Sequence, residues 1–211
     1  MKPVILRYVL GPMENNTYVI ADPDSGEAAV IDPSFDPDRI LEDAQNRKLR
    51  IGLVLLTHAH FDHIAGAAQV ANEFNPPVLI GLHPNDLELY AQGGGAAQFG
   101  FHIEPGPRPQ LLLAEGQLLT IGSVELEVHH TPGHTPGHVI FACPQAGVVF
   151  CGDLIFAGSV GRTDLPGGSP ELLMDSIQEH ILTLPAETRL LSGHGPETTV
   201  AIEQATNPFL S

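Results

Sequence analysis

The segment from Ile51 to His63 constrains this chain more than any other. Ile51 to Leu56 is a continuous apolar run, as expected of a strand buried on both faces. Immediately after it come Thr57-His58-Ala59-His60-Phe61-Asp62-His63. A lone histidine at a strand end is more often a hydrogen-bonded core residue than a ligand. Three histidines and an aspartate within six residues are a metal-binding pattern instead. In extended or turning backbone His58 and His60 point the same way and can grip one ion. Asp62 and His63 then turn into a helix and can reach a second. That helix is predicted from Ile64, Ala67, Ala68, Ala71 and Phe74 at helical spacing, with Asn75-Pro76-Pro77 as its stop and Val78 to Ile80 as the next strand. A strand–loop–helix–strand unit requires a sheet that is at least partly parallel.

Three further polar groups follow strands in the same way. His134 sits in Thr131-Pro132-Gly133-His134 beyond a strand ending near Val128. Asp153 follows Val148-Val149-Phe150, and His194 follows Leu190-Leu191. Ligands gather at the carboxyl ends of strands in open α/β sheets, so convergence of these ends would bring seven imidazole and carboxylate groups together. Taken singly, Asp153 reads equally as a cap or turn residue. Pro132, Gly133 and Pro136 force an irregular loop that frees His134 to aim inward. The glycines on both sides of His194 permit close approach of a large ion. His138 begins the next strand and suits a supporting hydrogen bond. His129 and His130 lie on opposite faces of a strand, so at most one of them faces the site.

The remaining pattern alternates strands and helices. Thr17 to Ile20 and Ala28 to Ile31 flank the turn-forming Asp22-Pro23-Asp24-Ser25-Gly26, and Asp32-Pro33 closes the second strand. Asp36-Pro37 opens a helix. Residues 84–110 are the least regular: one helix over Asn85 to Gln92, then a long Gly- and Pro-rich loop of the kind that can cover an active site or simply connect. Gln117 to Ile121, Val124 to His129, His138 to Ala142 and Val148 to Phe150 read as strands. Pro170 to Leu182 reads as a helix, Arg189 to Leu191 as a strand, and Val200 to Ala205 as a short final helix. The inferred architecture is an αββα sandwich: two mixed sheets face to face, helices outside, in one domain over 1–211 with two halves near 1–110 and 111–211.

Composition narrows the function. Apolar residues make up 43% of the chain, enough for a real core. No apolar stretch approaches the ~18 residues of a membrane helix. The N-terminal stretch has no cleavage signal, so the cytoplasm is the expected location. A net charge of −16 argues against nucleic acid and anionic membranes as partners. Eleven histidines against nine Lys plus Arg suit an imidazole–carboxylate metal site. Cys143 and Cys151 read as two buried thiols in neighbouring strands rather than a disulfide or zinc–thiolate site.

The motifs THAHFDH, TPGHTPGH, CGD and SGHG, in this order and spacing, resemble the metallo-β-lactamase superfamily over about residues 15–210. GPMENNTYVI, GRTDLPGG at 161–168, and GHGPETTV followed by NPFL are similar to the single-domain type II glyoxalases, which hydrolyse acyl-glutathione thioesters. The resemblance implies two divalent metal ions, zinc or alternatively iron or manganese. His58, His60 and His134 would hold one, Asp62, His63 and His194 the other, and Asp153 would bridge them. It implies attack by a metal-bridging hydroxide on S-D-lactoylglutathione or a related thioester, with Asp62 orienting that hydroxide or taking its proton. Arg162 stands where relatives use a basic residue near the glutathione glycine; a structural ion pair with Asp164 is its alternative reading. The larger type II glyoxalases carry a C-terminal helical part with basic residues for glutathione, whereas this chain stops seventeen residues after His194. The expected assembly is a monomer or homodimer. A mononuclear-iron persulfide dioxygenase is the chief rival, ahead of a true β-lactamase and a nuclease.

Overall fold

A computed structural model describes residues 2–74 and 76–210 of the 211. Asn75 in the expected helix stop and Met1 of the N-terminal stretch lie outside the described residues. One sheet runs in the order β1 (Val4–Leu10), β2 (Asn15–Ala21), β3 (Glu27–Ile31), β4 (Arg50–Leu55), β5 (Leu79–Leu82), β6 (Leu111–Leu112). Its first three strands pair antiparallel; β3 to β6 pair parallel, as the strand–loop–helix–strand pattern required. The second sheet holds β7 (Leu118–Ile121), β8 (Val124–His130), β9 (Val139–Cys143) and β10 (Val148–Gly152), then β13 (Arg189–Ser192) and β14 (Thr198–Thr199). A small hairpin, β11 (Ile155–Phe156) with β12 (Ser159–Val160), stands apart. Both sheets are mixed, and the fold is an αββα sandwich.

Side-chain alternation explains the four layers, because successive residues of a strand face opposite sides. In β2, Tyr18 and Ile20 point between the sheets while Val19 and Ala21 point outward to the helices. In β10, Val148 and Phe150 point inward while Val149 and Cys151 point outward. Strands buried on both faces must therefore read as unbroken apolar runs. The inward set includes Phe141 and Phe150, both essentially inaccessible, each contributing about 1.5–3 kcal/mol on burial. The outer face of the first sheet carries α1 (Asp38–Arg47) and α3 (Ala67–Asn72), through residues such as Ile40 and Val70. The outer face of the second carries α5 (Pro170–His180) and α6 (Val200–Thr206), through Leu173, Ile177 and Val200. Cys143 and Cys151 are buried and unbonded on adjacent strands, one facing each core.

Two helices differ from the sequence pattern. The helix expected after His63 is split into α2 (Phe61–Ile64) and α3. Gly66 lies at the break, and a Cβ there would meet the Ser34 carbonyl at 2.3 Å. The chain bends there so that α2 can follow the strand end and α3 the sheet. The helix expected over Asn85 to Gln92 is a 3₁₀ turn (Pro84–Asp86) leading into α4 (Leu87–Ala91). The strands β1, β6, β11, β12 and β14 were not anticipated; four of these five have only two residues, too few for periodicity to register. Among the described residues, no helix is long and apolar enough to cross a membrane.

Candidate metal centre

Strand direction assembles the site. In the second sheet β9 is antiparallel to both β8 and β10, and β10 is parallel to β13, so β8, β10 and β13 all end on one edge. The end of β4 in the first sheet faces that edge. His58, His60, Asp62 and His63 leave β4; His134 leaves β8, which runs to His130 rather than Val128; Asp153 leaves β10; His194 leaves β13. The two sheets are tied beside the site: the Tyr18 hydroxyl donates to the Ser192 carbonyl at 2.8 Å, and the Asn16 amide N–H to Gly193 O at 2.6 Å.

The seven predicted side chains meet. Ligand-capable atoms of His58, His60 and His134 converge within 4.8 Å, as do those of Asp62, His63 and His194, and those of His58, His63 and Asp153. His60 Nδ1 lies 2.8 Å from His134 Nε2, which lies 3.2 Å from His58 Nε2. Asp153 stands between the groups: Oδ1 is 3.3 Å from His63 Nε2, while Oδ2 is 3.6 Å from His134 Nε2 and 3.7 Å from His194 Nε2. Asp62 Oδ2 is 3.1 Å from His194 Nε2. His63 Nε2 and Asp153 Oδ1 are buried and lack hydrogen-bond geometry to any partner. Orphaned polar atoms are costly in an interior. A donor set of imidazoles and carboxylates with such orphans fits divalent cations. Gly193 allows the close approach: a Cβ there would meet Asp153 Oδ1 at 2.3 Å and His63 Cε1 at 2.7 Å.

The electrostatics divide in two. Burial and the neighbouring imidazoles push His58 well below its ordinary range and His60 to about 3, so both present free lone pairs. His63 is also buried, yet the Asp153, Asp62 and Asp32 carboxylates outweigh burial and push it well above the ordinary range. A position that attracts a proton this strongly attracts a cation as well. Burial opposes ionisation of Asp153, and the surrounding histidines overcome it, holding the carboxyl ionised.

The histidines are aimed by supports that sequence reasoning largely missed. Asp32 accepts from Thr57 N and Thr57 Oγ1, both at 2.7 Å, and sits 2.9 Å from His63 Nδ1; Thr57 Oγ1 is 3.0 Å from His58 Nδ1. Asp32 holds φ at +51°, a costly conformation for a non-glycine residue that persists where surrounding contacts fix it. In the sequence the Asp32-Pro33 pair reads only as a strand end. Buried Asp86 accepts from Ala59 N, Thr135 Oγ1 and Gly137 N, joining the two loops that carry His58, His60 and His134. Carbonyls hold the other imidazoles: Arg162 O at His134 Nδ1 and Met13 O at His194 Nδ1. His138 takes the supporting place expected of it, between Thr131 Oγ1 and Asp153 N. Neither His129 nor His130 faces the site; His129 pairs with Glu115 and His130 stacks on His83 at 4.1 Å. The Arg162 guanidinium forms a two-pronged ion pair with Asp164 at the rim.

The centre opens into a cleft of about 390 Å³ whose apolar walls include Met13, Phe61, Phe99, Phe156, Val160 and Leu165. The irregular 84–110 segment supplies one wall. Gly94 O accepts from Phe61 N, and Phe99 stacks on Phe61 at 5.3 Å.

The model of the metallo-β-lactamase superfamily matches residues 10–194. The chain belongs to the metallo-β-lactamase superfamily. It is 39% identical over 208 residues to a probable metallo-hydrolase of Bacillus subtilis, YqgX, covering 97% of this chain and 96% of that one. It is 35% identical over 200 residues to the hydroxyacylglutathione hydrolase GloC of Haemophilus influenzae, covering 94% and 93%. Among solved structures, the BLEG-1 B3 metallo-β-lactamase superposes with a TM-score of 0.92 at 38% identity over 99% of this chain and 100% of that one. TTHA1623, crystallised in a di-iron-bound form, superposes at 0.88 with 41% identity over 97% and 100%. This superfamily member is thus a metal-dependent hydrolase with the αββα fold.

Proposed function

We propose that this chain is a dinuclear metal hydrolase of thioesters, with acyl-glutathione, S-D-lactoylglutathione foremost, as its substrate class. The observation that carries the reading is Asp153, whose two oxygens face the two histidine groups while one of them lacks a hydrogen-bond partner. His58, His60 and His134 would hold one ion, Asp62, His63 and His194 the second, and Asp153 both. Zinc suits the donor set, with iron or manganese as alternatives; the di-iron form of TTHA1623 and the 35% identity to GloC support the reading. The chain acts here as one domain whose two halves each supply part of the centre, and a small molecule is its partner.

Two such ions would supply a water acidified from about 15.7 towards about 7 and a Lewis acid for the carbonyl. The chain's own groups do the rest. Asp62, which lines the cleft with Oδ2 3.1 Å from His194 Nε2, would orient that water or take its proton. The apolar walls would offer a surface for the non-polar part of the substrate. The thiolate leaves without a strong acid, and neither cysteine lines the cleft to act as a nucleophile, both being buried. At the rim, Arg162 would exchange Asp164 for a substrate carboxylate. That exchange is cheap because exposed ion pairs contribute about 0–1 kcal/mol.

Elemental analysis joined to an S-lactoylglutathione assay tests the proposal; two metals per chain and chelator-sensitive turnover are expected. One iron with oxygen uptake on glutathione persulfide would replace it with a dioxygenase. Arg162→Ala should raise KM for a glutathione thioester far more than for a small thioester, and equal effects would remove its assigned role. The 38% identity to a B3 enzyme favours β-lactam hydrolysis as the second reading. Nitrocefin turnover exceeding thioester turnover would select it.

A further inference from the structure

A second group of ligand-capable side chains lies away from this centre, where β8 meets the C-terminal end of α5. One donor atom each from Glu115, His129 and His180 falls within 4.8 Å of the others. They come from three places: the turn before β7, β8 itself, and the last residue of α5. His129 Nδ1 lies 3.0 Å from Glu115 Oε1, and Glu127 Oε1 stands 3.7 Å from His129 Nε2. The His129 and His180 rings are 5.2 Å apart. Glu115 is anchored by the His130 amide at 2.6 Å, so its carboxylate is oriented towards the pair.

We infer that Glu115, His129 and His180 form a peripheral site for one divalent transition-metal ion, separate from the catalytic centre. Two imidazoles and a carboxylate are a borderline donor set that suits zinc, nickel or copper(II) rather than calcium or magnesium. The terminal carbonyls of α5 add negative potential at His180, which favours a cation there. Three protein donors leave a fourth position to water, so the ion exchanges with the medium. Coordination at about 2.0–2.2 Å draws the three side chains closer, through the exposed Glu115 and the helix-end His180. The bound ion staples α5 to β8. The same helix and the Ser169 that caps it brace the loop carrying His134: Ser169 N donates to Gly133 O and Ser176 Oγ to Pro132 O. The inference is independent of the substrate proposed above.

The test uses the metal-loaded protein, freed of loosely held ion, titrated with Zn²⁺ by calorimetry and with Co²⁺ by visible absorption. The wild type should take up one further equivalent and gain thermal stability with added Zn²⁺. His180→Gln and Glu115→Gln should each weaken that uptake about tenfold or more while keeping the resident metals. Two surface variants on different elements keep the test open if one folds poorly. No further equivalent in the wild type, or uptake of unchanged affinity in the variants, overturns the site.

Discussion

Replacing Asp86 by alanine tests whether the loops that carry His58, His60 and His134 are held by one buried carboxylate. Its oxygens accept from Ala59 N at 3.0 Å, Thr135 Oγ1 at 2.8 Å and Gly137 N at 2.7 Å. The side chain is fully inaccessible. In Asp86→Ala the Thr135 hydroxyl can rotate to another acceptor, but two fixed backbone N–H groups lose theirs. Each unsatisfied buried donor costs about 1–3 kcal/mol, or about 2–6 kcal/mol for the two. Burial already pushes the Asp86 carboxyl above its ordinary range against these donors, so deleting it recovers part of the loss. The net expectation is about 2–4 kcal/mol of destabilisation, or about 4–16 °C in Tm for a chain of this size. Urea denaturation of chelator-treated protein measures it without interference from bound metal. The released loops carry His58 and His60 on one side and His134 on the other, so metal affinity should fall as well. A variant within about 0.5 kcal/mol of wild type, with unchanged metal affinity, would refute the reasoning.

Other outcomes follow from the same geometry. Asp153→Ala should lower metal content and abolish hydrolysis, read by elemental analysis and turnover; full activity with intact loading would count against the bridging role. Gly66→Ala should destabilise by about 1–3 kcal/mol or more, because the added methyl collides with the Ser34 carbonyl at the break between α2 and α3; thermal denaturation reads it. Asp22 is held at about 2 by amide donors from Asp24 and Ser123 and by the Ser25 hydroxyl. A carboxyl depressed from 3.8 stabilises the fold above about pH 4 and loses that contribution as pH falls towards 2. The stability gap between wild type and Asp22→Ala should therefore be full at pH 6 and shrink by pH 2–3; a gap independent of pH contradicts the assignment.

Much of the site was legible because the donors are dense in sequence and each follows an apolar run. Ile51 to Leu56, Val148 to Phe150 and Leu190 to Leu191 declared buried strands, and the polar residues after them declared their ends. The supports were less legible. Asp32 precedes a proline and reads as a strand end, and Asp86 falls within an expected helix over Asn85 to Gln92, since a carboxylate's partners 25 to 51 residues away leave no local trace. The peripheral trio is scattered likewise over residues 115, 129 and 180.

The sequence alone determined the strand and helix periods, the apolar faces and the chemistry of the seven donors, because these depend on local spacing and side-chain type. Tertiary structure decided which strand ends share an edge, that Asp153 lies between the two histidine groups, and that Phe99 of the 84–110 segment lines the cleft. It also turned His129 away from the centre and engaged Arg162 with Asp164. These are matters of strand order and direction across two sheets, and a pattern that repeats every two or four residues carries no record of which distant strand lies alongside.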